Sequence, residues 1–288
     1  MSEYIILTDS SADLPQSKLD ELGIEVAPLS VDLGGTTYVN YPDWREIAPH
    51  AFYEELRAGK PAATSAANVE SFLDVMTPRL EAGQDVLYIG FSSGLSGTFN
   101  AAQVAVEQLC EKYPGRKIIA IDSLCASLGQ GLLVSLVAEK KRAGASIDEA
   151  ADFCRETMLH ICHWFTVDDL FYLHRGGRVS KTTAIIGTTL GIKPVMHVDD
   201  EGHLIKVDVA RGRKASIKRL ADKLRQTNTS VSHVYISHGD CPEDAQILKE
   251  QLEKDPGVGE VLINVIGPVI GAHSGPGTLA LFFVGTQR

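Results

Sequence analysis

The alternation of apolar and polar positions is clearest in residues 85–109. Residues 86–89 form a short continuous apolar run, which is typical of a strand covered on both faces. Between residues 99 and 109, apolar side chains recur at steps of three and four, which predicts an amphipathic helix. The intervening residues 92–98 supply three serines, two glycines and a threonine. Because a helix N-terminus offers unpaired N–H groups and partial positive charge, this loop predicts a carboxylate or phosphate cradle.

The same patterns place further elements in the first half of the chain. They predict strands at 4–9, 62–65 and 117–121, a hairpin of 24–31 with 36–41, and helices at about 46–58, 68–82, 126–143 and 147–161. Asn68 and Ser146 are the expected N-caps of two of these helices, and Glu149 completes a capping box. Strands that alternate with helices through short loops indicate a mainly parallel sheet with helices on both faces.

Strands predominate in the second half. The patterns predict strands at 163–167, 193–198, 203–209, 233–238, 258–266 and 279–285, and helices at 168–173, 213–226 and 242–254. Since 288 residues exceed the size of one ordinary domain, we predict an α/β protein with two α/β domains. The first, residues 1–162, is a mainly parallel three-layer sheet. The second, residues 163–288, is a mixed sheet with helices, and a ligand tunnel lies between them.

Two segments of unusual composition stand out in the second half. Residues 267–277 are rich in glycine and proline, which predicts a tight irregular loop that positions the imidazole of His273. Residues 182–192 are small and apolar. They indicate either ordinary core packing or one wall for an elongated apolar ligand.

Composition narrows the function classes. A net charge of −10 argues against a nucleic-acid-binding protein, which needs a basic face. Basic residues nevertheless concentrate between positions 170 and 225, as a solvated helix face or as a surface for an acidic or phosphate-carrying partner. Five widely spaced cysteines without a metal-binding motif predict reduced thiols and no metal site. Without a long apolar run or a signal peptide, we expect a cytoplasmic protein with no stable membrane insertion.

The serine loop allows two readings besides the anion cradle. Residues 90–94 read G-x-S-x-G between a strand and a helix, which is the setting of a serine-hydrolase nucleophile. Ser92 would then be the nucleophile, His273 the base, and Asp168 or Asp169 the orienting carboxylate. No HGGG-type segment precedes the loop to form an oxyanion hole. In the simplest reading Ser96 only caps the helix.

Five stretches, taken in order, resemble a known family. They are residues 8–14 (TDSSADL), 64–65 (TS), 92–98 (SSGLSGT), 175–181 (RGGRVSK) and 271–277 (GAHSGPG). This set resembles the DegV family. The resemblance implies a bacterial two-domain protein that holds a long-chain fatty acid in a tunnel between domains. It also implies a non-catalytic subunit that presents the carboxylate to a separate dihydroxyacetone-kinase-like fatty acid kinase. ATP and magnesium belong to that kinase, and the chain itself needs no cofactor.

The resemblance also implies roles for individual residues. Thr64 and Ser96 are the expected carboxylate ligands, with Ser65 and Ser93 beside them. The residues expected to support the headgroup are His273 and Arg178, and those expected to contact the kinase are Arg211 and Arg175. The chain departs from the family pattern in one place, because it has Ala66 and Ala67 where Gln and Pro are common.

Overall fold

The computed structural model of the chain describes residues 3–186, 191–227 and 231–288, with the backbone alone for 184–186. The strands are β1 (Tyr4–Asp9), β2 (Ile24–Ala27), β3 (Leu29–Leu33), β4 (Thr36–Asn40), β5 (Ala62–Ser65), β6 (Asp85–Gly90), β7 (Ile118–Asp122), β8 (Ile161–Thr166), β9 (Ile192–Val198), β10 (Leu204–Arg211), β11 (Val231–His238), β12 (Val258–Val265) and β13 (Leu279–Val284). The helices are α1 (Gln16–Leu22), α2 (Pro49–Arg57), α3 (Val69–Glu81), α4 (Thr98–Lys112), α5 (Leu128–Arg142), α6 (Ile147–Thr157), α7 (Phe171–Arg175), α8 (Lys181–Ile186), α9 (Arg213–Thr227), α10 (Pro242–Leu252) and α11 (Pro268–Ser274).

A parallel sheet organises the first half of the chain. Its strand order is β2-β1-β6-β7, and every neighbouring pair is parallel. Along β1, Ile5 and Leu7 pack against α3 and α4, whereas Tyr4 and Ile6 face α5. Successive strand side chains point to opposite faces, so a strand covered on both sides is apolar throughout. The prediction of a mainly parallel sheet between helices is confirmed.

A mixed sheet organises the second half. Its strand order is β10-β9-β8-β13-β11-β12, and only β11 and β12 pair in parallel. Along β13, Leu281 and Phe283 pack against α9 and α10, while Phe282 points to the opposite face. The predicted mixed sheet with helices is therefore confirmed.

Helix α5 lies between the two sheets and belongs to the cores of both halves. Ten of its fifteen residues are buried, because one side faces the parallel sheet and the other the mixed sheet. The fit is close at Gly129, where a Cβ atom would lie 2.1 Å from Nε2 of His163. Glycine therefore lets the helix approach β8.

The predicted hairpin of 24–31 with 36–41 is wrong in its first strand. Pro28 interrupts that segment, because proline lacks the N–H that a strand ladder needs. Strand β2 stays in the parallel sheet, whereas β3 leaves it and pairs with β4 and β5 in a third, antiparallel sheet. The hairpin turn itself is made by Gly34 and Gly35, both with positive φ.

The segment around His273 is also more regular than predicted. Residues 268–274 form helix α11 instead of an irregular loop. Pro268 occupies the first helical turn and Gly275 follows the last residue with φ of 79°, which are favoured start and stop residues. His273 thus lies in the last turn of a short helix.

Two predictions of extent stay open. The proposed boundary between 162 and 163 falls inside β8, so it remains a prediction. The apolar wall was predicted at residues 182–192, and of these, residues 187–190 lie outside the described residues. Among the helices of the described ranges, none combines the length and apolarity needed to cross a bilayer.

Candidate functional site

A cavity of about 290 Å³ opens between the carboxyl ends of the parallel strands and the inner face of the mixed sheet. Apolar side chains from both halves cover much of its wall, among them Phe91, Leu95, Phe165, Leu204, Ile270 and Phe282. Ser65 and Ala66 also line it yet are exposed, which places an opening beside β5. The hollow predicted between the two halves is therefore present.

One polar part of the wall joins β5 to α11. Thr64 Oγ1 lies 2.7 Å from Nε2 of His273, although 209 residues separate them in the chain. Burial, aided by the nearby positive charge of Arg178, lowers the pKa of His273 to about 4. The imidazole is therefore neutral near pH 7, and its Nε2 can donate to or accept from the Thr64 hydroxyl.

The loop after β6 brings Ser96 to the same cavity. Its Oγ accepts a hydrogen bond from the backbone N–H of Thr98 at 3.2 Å, at the first residue of α4. The hydroxyls of Ser96 and Thr98 are 2.9 Å apart. Ser96 thus bonds to the first residue of the helix and lines the cavity, but the N-cap of α4 is Gly97, so the prediction that Ser96 caps the helix is wrong. Its role as a carboxylate ligand stays a prediction.

Arg178 supplies the positive charge of this wall. Its Nε donates to the carbonyl of Leu95 at 3.0 Å, and Nη1 donates to the carbonyl of Gly176. Burial lowers the pKa of the half-buried guanidinium, yet Arg178 forms no ion pair within the described part of the chain. A half-buried cation without an anionic partner favours an anion as its ligand.

A second depression lies on the outer side of this wall. Its volume is about 320 Å³, and Thr64, Arg178 and His273 line it as they line the cavity. The exposed cations Lys60 and Arg175 contribute to its rim. The three shared side chains therefore separate an apolar interior from a basic surface depression.

Comparison with known proteins identifies the family. The model of the DegV family, described as uncharacterised proteins, matches residues 4–286. A DegV domain-containing protein of Clostridium perfringens is 44% identical over 290 residues, covering 100% of this chain and 99% of the relative. The chain belongs to the DegV family.

Solved DegV structures share this fold. The fatty-acid-binding DegV family protein of Thermus thermophilus superposes with a TM-score of 0.89 at 30% identity, covering 99% of this chain and 100% of the other. A stearic-acid-binding protein from Eubacterium ventriosum gives a TM-score of 0.87 at 26% identity, with 98% of each chain covered.

Of the residues predicted to bind the ligand, only Ser93 lies outside the cavity wall. The predicted contact of Arg175 and Arg211 with a kinase stays a prediction. Ser93 is exposed and does not line the cavity, because its backbone N–H is held by the carboxylate of Asp122 at 3.2 Å. Arg211, at the end of β10, is exposed and lies outside the cavity wall. Arg175 borders only the outer depression, where its guanidinium stacks 4.3 Å from the ring centre of Tyr172.

The serine-hydrolase alternative is not assembled in this DegV protein. Ser92 Oγ donates to the carbonyl of Gly202 at 2.9 Å and does not line the cavity. His273 bonds to Thr64 instead of Ser92. The predicted orienting carboxylates are used elsewhere: Asp168 binds Lys193, and Asp169 accepts the N–H of Phe171. The four groups therefore do not form a catalytic triad.

Sequence reasoning missed a set of polar residues in the cavity wall. Ser127 and Ser237 line the cavity, and Ser127 Oγ donates to Oδ2 of buried Asp13 at 2.5 Å. Burial raises the pKa of Asp13 to about 7, although hydrogen bonds from Ser127 and from the N–H of Gly267 oppose the rise. The only sequence signal was the polar turn after β1, because the two serines come from distant elements.

A surface cluster of metal-ligating residue types was also missed. One ligand atom from each of His50, Glu54 and Asp240 lies within 4.8 Å of the others. Arg57 donates to the carboxylates of both Glu54 and Asp240. Arg57 therefore already offsets one of the two carboxylate charges of this cluster.

Proposed function

We propose that this DegV protein binds a long-chain fatty acid, with the acyl chain in the cavity and the carboxylate at Thr64, Ser96, Arg178 and His273. We call these four residues the headgroup cluster. The observation that carries the proposal is the half-buried guanidinium of Arg178, which forms no ion pair with any described residue and lies beside an otherwise largely apolar cavity. A fatty acid combines the two properties that this wall favours, namely one negative charge and a long apolar tail.

The energetics support a division of labour between tail and headgroup. At about 0.8 kcal/mol for each buried CH₂, a sixteen-carbon chain offers on the order of 10 kcal/mol before ordering costs. Affinity therefore comes mainly from the apolar wall. The headgroup cluster fixes the direction of binding, since only that part of the wall offers a positive charge among the residues described.

The hydrogen-bond order in the headgroup cluster follows from the neutral imidazole. When Nε2–H of His273 donates to Thr64 Oγ1, the Thr64 hydroxyl proton is left to donate to a carboxylate oxygen. Ser96 Oγ accepts from the α4 backbone, and when the Thr98 hydroxyl also donates to it, the Ser96 proton is available for the same purpose. Arg178 adds charge to these neutral donors.

The bound carboxylate is presented to a separate dihydroxyacetone-kinase-like fatty acid kinase. Thr64, Arg178 and His273 border the outer depression as well as the cavity, so a partner seated there stands beside the headgroup. The partner supplies ATP and magnesium, a carboxylate oxygen attacks the γ-phosphorus, and ADP leaves with formation of acyl phosphate. The exposed cations Arg175 and Arg211 offer contacts to that partner.

Native mass spectrometry tests the binding step directly. Protein purified from a bacterial host, measured before and after lipid removal and oleate addition, is expected to carry one fatty acid per chain. The proposal is contradicted if the purified protein carries no fatty acid and does not bind added oleate. Adding the kinase with ATP then tests presentation separately, because acyl phosphate forms only if the carboxylate is accessible.

A further inference from the structure

The cavity wall contains a second group of polar side chains that the headgroup cluster does not use. Ser127, Ser237 and Ser274 all line the cavity and are buried. We call these three the hydroxyl cluster. No described hydrogen bond connects it to Thr64, Ser96, Arg178 or His273.

Two members form a chain that ends on a buried carboxyl group. Ser127 Oγ lies 2.5 Å from Oδ2 of Asp13 and 3.1 Å from Ser237 Oγ. The other oxygen of Asp13 accepts the N–H of Gly267 at 2.9 Å. Within the described ranges Asp13 forms no ion pair, and its carboxyl group bonds to the hydroxyl of Ser127 and the amide of Gly267.

This chain leaves Ser237 with unused hydrogen-bonding capacity in either protonation state of Asp13. If Asp13 is ionised, Ser127 donates to it and Ser237 donates to Ser127, which leaves the lone pairs of Ser237 Oγ free. If Asp13 is protonated, every bond reverses and the Ser237 proton is free. In both states the unused hydrogen-bond donor or acceptor is the hydroxyl of Ser237, a residue that lines the cavity.

Ser274 is a second residue of the cavity wall with unused hydrogen-bonding capacity. Its Oγ is buried and has no hydrogen-bond partner among the residues that the structure describes. A buried hydroxyl without a partner destabilises the folded state, and a hydrocarbon chain cannot supply that partner. A wall meant only for methylene groups would be expected to carry apolar residues at these positions.

We infer that the hydroxyl cluster is a second polar subsite, which receives a hydroxyl group on the acyl chain, so that hydroxylated long-chain fatty acids are a ligand class of this protein. A ligand hydroxyl donates and accepts, so it matches Ser237 in either direction of its chain, and Ser274 offers a further hydroxyl in the same wall. The inference rests on the proposed fatty-acid binding and specifies which chains the cavity accepts.

Displacement of a fluorescent fatty acid by stearate and by a panel of hydroxystearates, with the hydroxyl at different carbons, tests the inference. On the delipidated wild-type protein, we expect at least one hydroxystearate to bind within about threefold of stearate. In Ser237→Ala combined with Ser274→Ala, the Kd of that isomer should rise about tenfold, while the Kd of stearate stays unchanged or falls.

Ser135→Ala is the matched control, because Ser135 is a buried serine of α5 that donates to Gly131 and does not line the cavity. It should leave both affinities unchanged. The inference is overturned if every hydroxystearate binds wild type about tenfold more weakly than stearate, or if the double variant weakens both ligand types equally. If stearate itself does not bind wild type, the proposed function fails and the inference falls with it.

Discussion

The headgroup cluster and the hydroxyl cluster with Asp13 are two polar regions of one cavity wall, and burial shifts their titrating groups in opposite directions. Burial lowers the pKa of His273 to about 4 and raises the pKa of Asp13 to about 7. In each case burial disfavours the charged form, which is the protonated imidazole but the deprotonated carboxyl. Among the described residues that line the cavity, only Arg178 carries a permanent charge, so the two regions are suited to different ligands: an anion at one and a neutral hydroxyl at the other.

The largest expected effect concerns stability at Asp13. Its pKa is higher in the folded than in the unfolded chain, so its stabilising contribution is complete below pH 4 and is lost as pH rises through 7. The unfolding free energy of wild type, relative to that of Asp13→Asn, is expected to decrease by on the order of 4 kcal/mol from pH 4 to pH 8. Denaturant titrations across this range measure it. A difference independent of pH would contradict the assignment.

His273 should show the opposite dependence. Its pKa is lower in the folded than in the unfolded chain, so its contribution is complete above about pH 6.5 and is lost as pH falls towards 4. The unfolding free energy of wild type, relative to that of His273→Gln, is therefore expected to decrease by on the order of 3 kcal/mol as the pH falls over that interval. The same titrations serve as the measurement. If both variants gave the same sign, the contrast between the two regions would be wrong.

Arg178→Gln should weaken fatty-acid binding most among the headgroup variants. Removing the one charged donor is expected to cost roughly 3 kcal/mol, or about a hundredfold in Kd for oleate, because hydrogen bonds to charged groups are the strong ones. Arg175→Gln is the matched control, since Arg175 is exposed and lies outside the cavity wall. Equal affinities for wild type and Arg178→Gln, by calorimetry, would remove the observation on which the function rests.

The neutral donors should matter less. Thr64→Ala combined with Ser96→Ala removes two hydroxyls, at roughly 1 kcal/mol each, so we expect oleate binding to weaken by about tenfold to thirtyfold. Ser93→Ala removes a hydroxyl from the same loop but outside the cavity, and should leave the Kd unchanged. A larger effect of Ser93→Ala than of the double variant would show that the loop is placed differently in the complex.

The smallest effect on binding is expected at Arg211. Because Arg211 lies outside the cavity wall, Arg211→Ala should leave the Kd for oleate within about twofold of wild type. Acyl phosphate formation with the kinase should nevertheless slow, since an exposed cation for the partner is lost. Steady-state assays over a range of binding-protein concentrations measure this. An unchanged rate would exclude Arg211 from the partner contact.

Local sequence signals anticipated the elements they act on. Asn68 accepts the N–H of Ser71 and starts α3, and Ser146 with Glu149 forms the predicted capping box of α6. Such contacts lie within one helical turn, so residue type and spacing are sufficient to predict them. Pro28 is an equally local signal. The predicted single strand at 24–31 ignores it and so combines β2 and β3, which belong to different sheets.

The roles within the serine loop needed the tertiary structure. Ser92, Ser93 and Ser96 look alike in the sequence, yet the first bonds to Gly202 on the β9–β10 turn, the second is exposed, and the third faces the cavity. Which partner each hydroxyl meets depends on distant segments that pack over the loop. Spacing along the chain contains no information about those segments.

The sequence by itself determined the alternation of strands and helices, the two kinds of sheet and the polar loop before α4, because these depend on periodicity and on contacts between near neighbours. Only the tertiary structure decided that Thr64 meets His273, that Arg178 has no acidic partner among the described residues, and that Asp13 supports two serines of the cavity wall. These contacts join residues more than 80 positions apart, and burial, which sets their charge states, exists only once both sheets have packed against α5.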